Sequence, residues 1–228
     1  MKDTIYTQNR ELSWLRFNER VLEEAREKNV PAFEKLKFIS IFTSNLDEFF
    51  MIRVGSLYDQ TFLSKPQIDN KTGMDAAEQL SEIFRAVAPL YKKRDKIYRE
   101  VAGLLCEKGI AHPQMESLTA EERSFAEKYF IADVLPVLSP QIINAHHPFP
   151  HLVNKALYIV LQMKISDKTA YGIIPMPAMQ DRLIFLPGSG MRYVLLEELI
   201  YQYAERVFDN CEINAKSIIC VTRNADIN

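Results

Sequence analysis

Up to about residue 110 the chain carries apolar residues at helical spacing; beyond it, shorter apolar runs alternate with prolines, glycines and further helical stretches. Ser13 is placed to cap a first helix, with Trp14, Phe17, Val21 and Ala25 on its apolar face. Val30-Pro31 closes that helix or opens the next, since proline is tolerated at a first helical position. Residues 38–54 then form an almost unbroken apolar run, interrupted by Thr43-Ser44-Asn45 and by Asp47-Glu48. Burying Phe38, Ile39, Ile41, Phe42, Leu46, Phe49, Phe50 and Ile52 would stabilise the fold by roughly 1.5–3 kcal/mol each. An unpaired amide or carboxylate among them would cost a comparable amount. The interruption therefore calls for a partner, either a helix terminus or a bound ligand. Ser44 with Asp47 and Asn45 with Glu48 make two overlapping capping boxes. They predict that one helix ends near Thr43 and another begins at Ser44 or Asn45. An amide at such a buried helix start can also turn a donor or acceptor toward a bound base.

Lys65-Pro66 and Lys71-Thr72-Gly73 mark a loop, and a long helix is expected from Asp75 to Lys108. Its buried stripe reads Leu80, Ile83, Phe84, Val87, Leu90, Tyr91, Ile97, Val101, Leu104 and Leu105. Pro89 should bend it by removing one amide donor, and Gly109 is placed as its C-cap. Long helices with short connections suggest an antiparallel bundle. Beyond Ile110, Thr119 with Glu122 opens a helix to about Ala132, followed by a connection carrying Pro136, Pro140, Pro148 and Pro150. Strands are predicted over 157–164, 172–175, 182–186 and 213–222, a turn at Gly188-Ser189-Gly190, and a helix over 195–208. The fold class expected is α+β and multidomain. An N-terminal all-α helical bundle over 1–110 is followed by part of a mixed α/β middle domain over 111–228.

Composition narrows the function. Of 228 residues 47% are apolar, enough for a core in one large or two ordinary domains. The net charge is −2, with no strongly basic block, which is not the footprint of a nucleic-acid binder. The same balance is poor for gripping a polyanion unaided. Cys106, Cys211 and Cys220 are odd in number and far apart, so a reducing compartment is expected. No apolar segment of about 18 residues escapes a charge, and no hydrophobic leader opens the chain, so no transmembrane segment is expected. The location expected is cytoplasmic, with peripheral association at the membrane as the alternative.

Four stretches carry a resemblance. Residues 36–54, LKFISIFTSNLDEFFMIRV, resemble the N-terminal segment of bacterial polyphosphate kinases of the long, multidomain type. Asn9–Asn18 (NRELSWLRFN) with Val21–Ala25, His147-Pro148-Phe149-Pro150, and Val221–Asp226 (VTRNAD) resemble the same family in the same order. The resemblance implies an enzyme that reversibly transfers the γ-phosphoryl group of ATP to inorganic polyphosphate. It implies a phosphohistidine and Mg²⁺ ligands on C-terminal domains outside residues 1–228, so no catalytic or metal residue is assigned here. By the same resemblance the chain is a fragment ending within the middle domain, and that domain contributes a dimer contact. The partners implied are ATP or ADP and polyphosphate, with a homo-oligomer, a dimer or larger, expected.

The asparagine of the SNLDEFF-type motif, matched here by Asn45, lies in that family against the adenine of ATP. An amide suits the task because it offers both a donor and an acceptor to a purine edge. Leu46, Phe49 and Phe50 are candidates for an apolar wall beside it or for core. Asp47 and Glu48 should avoid the triphosphate, where like charges repel. His146, His147 and His151 have spacings that suit a metal, but two prolines hold the segment extended, where neighbouring side chains diverge. The favoured reading is a loop anchor with Phe149 buried. Lys92-Lys93-Arg94 reads as a solvated face, and Arg223 as a bidentate partner for a carboxylate between domains. A non-catalytic interaction or oligomerisation module is the alternative to an incomplete enzyme.

Overall fold

A computed structural model describes residues 8–143, 147–165, 168–209 and 211–225. They form two compact units, one running to Leu105 and regaining the chain from Thr222, the other Cys106–Val221. The first unit is helical: α1 (Arg10–Glu23), α2 (Ala32–Glu48), α3 (Gly55–Gln60) and α4 (Ala76–Cys106). Phe49–Val54 bridge α2 and α3 as a wider π turn, so residues 32–60 are one continuous helical stretch.

The expected break at Thr43–Asn45 is therefore absent. No glycine or proline lies between Ala32 and Val54, so continuing the helix satisfies every backbone amide and neither capping box forms. Thr43 instead donates its hydroxyl to the Ile39 carbonyl one turn back, at 2.9 Å. The eight apolar residues divide as well. Ile39, Phe42, Leu46 and Phe49 are buried, while Ile41 and Ile52 are exposed.

The cap of α1 is Asn9 rather than Ser13. The Asn9 Oδ1 accepts from the Glu11 and Leu12 amides at 2.9 and 3.2 Å, and its Nδ2 donates to Gln79 Oε1 at 2.7 Å. Starting the helix earlier shifts its inward stripe to Leu15, Asn18, Leu22 and Ala25, leaving Phe17 exposed. On α4 the stripe holds at Leu80, Ile83, Val87, Leu90, Ile97, Val101 and Leu105, but Phe84, Tyr91 and Leu104 face outward. Pro89 is on the exposed side of that uninterrupted helix, and Gly109, at φ +80°, follows its end. Lys93 joins α4 to α1 by bonding Glu19 and Glu23 at 2.7 and 2.6 Å.

The second unit contains β1 (Ile110–Ala111), α5 (Ala120–Tyr129), β2 (Gln141–Ile143), β3 (Leu157–Ile165), β4 (Lys168–Pro175), β5 (Leu183–Phe185), β6 (Met191–Leu195), α6 (Leu196–Gln202) and β7 (Glu212–Cys220). One sheet is antiparallel throughout in the order β2-β4-β3-β7, with Val160 opposite Ile173 and Ser217. The other has the order β1-β6-β5, β1 running parallel to β6. Phe130, Ile159, Leu161, Met163, Ile174, Leu199 and Ile200 form the core between the larger sheet and the helices. A Cβ on Gly172 would come within 2.3 Å of Met163 Cε and 2.8 Å of Phe208 Cζ, so a larger residue at that strand position would have to displace both side chains.

The capping box at Thr119 and Glu122 forms, and the Glu122 carboxylate also binds the Arg192 guanidinium, which holds its pKa below the usual value. The short strands β1, β2 and β6 are additional to the predicted ones, and the predicted 195–208 helix ends at Gln202 with a 3₁₀ turn after it. Phe149 is 60% exposed, contrary to expectation, because the two prolines hold it in an open loop. His146 lies outside the described residues, and His147 and His151 are exposed.

His112 connects the strand following α4 to the start of α6. Its Nε2 lies 2.7 Å from Glu198 Oε2, and its ring stacks on Tyr193 at 5.1 Å. Glu198 in turn accepts from the Leu195 amide at 3.0 Å. The bond to Glu198 raises the His112 pKa; burial pushes the Glu198 carboxyl up, but the bonds from His112 and Leu195 bring it below its ordinary value.

Two outcomes follow from this packing. Phe42→Ala, at a fully buried ring, should cost about 3–5 kcal/mol in urea denaturation, whereas Phe33→Ala, at an exposed one, should change stability by less than about 0.5 kcal/mol. The His112–Glu198 pair should stabilise most between the ordinary values of 4.5 and 6.5. Its histidine contribution fades as pH rises through the raised folded pKa, and its glutamate contribution as pH falls through the lowered one. His112→Phe, which keeps a ring on Tyr193, should lose the decline in urea midpoint expected of the parent chain as pH rises above the ordinary histidine value of 6.5 and through the raised folded one.

Candidate functional site

The helical stretch 45–60 presents Asn45, Glu48, Phe49, Ile52, Arg53, Ser56, Leu57 and Gln60 at intervals of three or four residues, which places them on one side. Facing them, α1 presents Arg10, Glu11, Trp14 and Phe17 by the same spacing. Between these two faces lies a cleft of about 690 Å³. That is the size of a small-molecule site of mixed apolar and polar lining. The π turn falls in the middle of the longer wall, a distortion often found at functional sites.

Trp14 stacks flat on Phe49 with centroids 4.5 Å apart and planes 4° from parallel, giving the cleft a rigid aromatic side. Of the three apolar residues proposed beside Asn45, Phe49 reaches the cleft. Leu46 is 1% exposed and belongs to the core, and Phe50 lines a separate, smaller cavity. The contributions of Trp14, Ile52 and Arg53 were missed. For Ile52 and Arg53 the spacing of three or four from Asn45 and Phe49 was the available signal, whereas Trp14, on a different helix, had none in local sequence.

Asn45 is half-buried and lines the cleft. Its Nδ2 donates to Asn18 Oδ1 at 3.0 Å, and Asn18, with no solvent exposure, donates its own Nδ2 to the Phe42 carbonyl at 3.0 Å. The polar interruption in the apolar run thus finds a partner on α1, twenty-seven residues upstream, rather than at a helix terminus.

The charged lining is balanced, with Arg10 and Arg53 against Glu11 and Glu48. Arg53 Nη1 lies 3.3 Å from Glu11 Oε1. The other Glu11 oxygen is buried and has no hydrogen-bond partner among the described residues. Elsewhere in the same unit, Asp47, Phe50 and Tyr91 share a cavity of about 230 Å³ with Thr222, Arg223 and Asn224. The returning segment is fixed there by the Ala225 amide on the Met51 carbonyl and by Asn224 Nδ2 on Asp59 Oδ2, both at 2.9 Å. Gly55 faces Asn224, whose Oδ1 would lie 2.5 Å from an added Cβ. In the basic run, Lys93 is held by glutamates and Arg94 bonds Asp95 and stacks over Tyr91. Among the described residues no three His, Cys, Asp or Glu side chains converge to hold a metal ion, and no helix is long and apolar enough to cross a membrane.

Comparison with known proteins accounts for nearly all of this chain. The family model described as the polyphosphate kinase N-terminal domain matches residues 7–112, and that of the polyphosphate kinase middle domain matches residues 121–228. Together they define the class, a multidomain kinase represented by two consecutive domains. The chain belongs to the polyphosphate kinase family. It is 41% identical to the polyphosphate kinase of Bacillus cereus over its whole length and 38% identical to that of Staphylococcus epidermidis over 97% of it. It covers 34% and 30% of those proteins, about a third of their length. The crystal structure of polyphosphate kinase from Porphyromonas gingivalis superposes with a TM-score of 0.82 at 26% identity, over 97% of this chain and 34% of that one.

The Gly55 contact has a measurable consequence. Gly55→Ala should displace Asn224 and speed hydrogen exchange at the Ala225 amide, while better helix propensity keeps the change in global stability within about 1 kcal/mol. Unchanged exchange at Ala225 would mean that Asn224 is not what fixes this segment.

Proposed function

We propose that this chain is the nucleotide-recognition portion of an enzyme that reversibly transfers the γ-phosphoryl group of ATP to inorganic polyphosphate. Asn45 contacts the adenine, and the cleft between α1 and residues 45–60 receives the base. The observation that carries this reading is the placement of Asn45: a half-buried amide on the wall of a 690 Å³ cleft, beside a stacked aromatic pair.

The cleft's charge balance supports a division of labour. Phosphoryl transfer requires positioning and neutralisation of phosphate charge. Two arginines matched by two glutamates offer little net positive charge for that. By resemblance to the family, the phosphorylated histidine, the Mg²⁺ ligands and the phosphate-binding cations are assigned to parts of the protein outside residues 1–228, and none of the chain's own histidines is given a catalytic part. His112 is already engaged with Glu198 and Tyr193. The enzyme is placed in the cytoplasm.

The second unit offers a surface for the proposed homo-oligomer. Leu183, Phe185 and Met191 are each about half exposed on one face of the smaller sheet, where Phe185 pairs directly opposite Tyr193. Such a patch suits association with another copy. It also favours, as a second reading, a module whose main role is assembly.

Asn45→Ala in the full-length enzyme should weaken apparent ATP affinity by about 1–3 kcal/mol, read as a raised ATP KM in steady-state kinetics. Asn45 caps no helix, but the change strands the buried Asn18 Oδ1, so the fold should persist with about 1–3 kcal/mol less stability. An ATP KM equal to that of the parent enzyme would remove Asn45 from the site.

A further inference from the structure

The side-chain amide of Asn18 is sealed between α1 and α2, and its two ends meet different chemistry. On one side is the Phe42 carbonyl, which can only accept, so Asn18 must turn its Nδ2 that way. Its Oδ1 is thereby committed to the other side, where Asn45 stands. An oxygen can only accept there, so Asn45 must present its own Nδ2. Flipping either amide alone would set oxygen against oxygen or nitrogen against nitrogen in a buried site, which is costly. The orientation of Asn45 thus follows from a backbone carbonyl two links away. Among the described residues nothing donates to Asn45 Oδ1.

We propose that Asn18 is a positioning residue that fixes Asn45 with its carbonyl oxygen offered to the ligand, so that the cleft selects a purine bearing a hydrogen-bond donor at position 6. This rests on the reading of Asn45 as the adenine contact and deepens it. Adenine carries an amino group at position 6 and meets the fixed oxygen with a donor. Inosine and guanine carry a carbonyl there and meet it oxygen to oxygen. A freely rotating asparagine would turn its amide to suit either base. Selectivity is therefore assigned to the buried partner that prevents the turn, while Asn45 itself supplies the contact.

The test compares ATP with inosine triphosphate as phosphoryl donors for the full-length enzyme. The parent enzyme should favour ATP in kcat/KM. Asn18→Leu keeps the branched shape of the side chain and removes its polar atoms. It should raise the ATP KM and lower the ATP-to-inosine preference, each by roughly 3- to 10-fold, with kcat changed less than about twofold. In an Asn45→Ala background the same substitution should add no further change in the preference, because Asn18 acts through Asn45. If Asn45→Ala raises the ATP KM but Asn18→Leu leaves the preference intact, the positioning role is overturned while the adenine contact stands. If Asn45→Ala changes nothing, the adenine contact itself fails and takes this proposal with it. An additional loss from Asn18→Leu on top of Asn45→Ala would overturn the coupling. Should Asn18→Leu not fold, Asn18→Thr serves in its place, and equal use of the two nucleotides by the parent enzyme would overturn the proposal without any variant.

Discussion

A primary amide without solvent access is expensive unless each of its polar atoms is bonded. Asn18 meets that requirement by spanning two helices, reaching the α2 backbone through its nitrogen and the Asn45 side chain through its oxygen. The contact dictates how α1 lies on α2, because a shift of one residue along either helix would leave polar atoms stranded among Leu22, Phe42 and Leu46. Apolar packing alone would be more forgiving, since hydrophobic side chains tolerate sliding and repacking. The cleft lies between α1 and the stretch that continues from α2, so the same amide that fixes helix register also fixes its width and the attitude of Asn45.

Much of this fold is legible in the chain. The α4 helix, most of its buried stripe, the Thr119–Glu122 cap and the two longest strands follow from periodicity and from local signals that need no tertiary information. What misled was a local signal without a local need. Ser44 and Asn45 have the composition of helix caps, yet the residues before them have no reason to leave the helix. Thr119 differs because Leu118 precedes it in extended conformation and leaves free amides to be capped. The first helix erred in the same sense. Asn9 became the cap because its amide could also reach Gln79, seventy residues on, a partner that no window of local sequence contains.

The site was legible in one residue and hidden in its surroundings. Asn45 stood out as an amide within an apolar run, but the partner that makes it tolerable is on a different helix, separated by twenty-seven positions. Trp14 was placed only on the apolar face of the first helix, and the structure has it lining the cleft, stacked on Phe49. Phe50 and Leu46, adjacent in sequence to cleft residues, point elsewhere because successive helical positions are about 100° apart. The short strands β1 and β6 escaped notice since two to five residues show too little alternation, and their pairing joins segments eighty residues apart.

On the proposed function, the lining of the cleft separates two tasks that a phosphoryl-transfer site must combine. Recognising a base calls for flat apolar walls and one oriented hydrogen-bonding group, and both are satisfied by neutral side chains whose cost of burial is small. Neutralising a triphosphate calls for several cations with no nearby anions. Arg53 cannot serve freely in that role while it faces Glu11, whose second carboxylate oxygen is buried without a partner. Moving Arg53 to a phosphate would take from Glu11 its ion-pair partner at 3.3 Å, a contact between part-exposed side chains. On the reading proposed above, the cleft's aromatic wall and balanced charges suit the uncharged end of a nucleotide better than its phosphates.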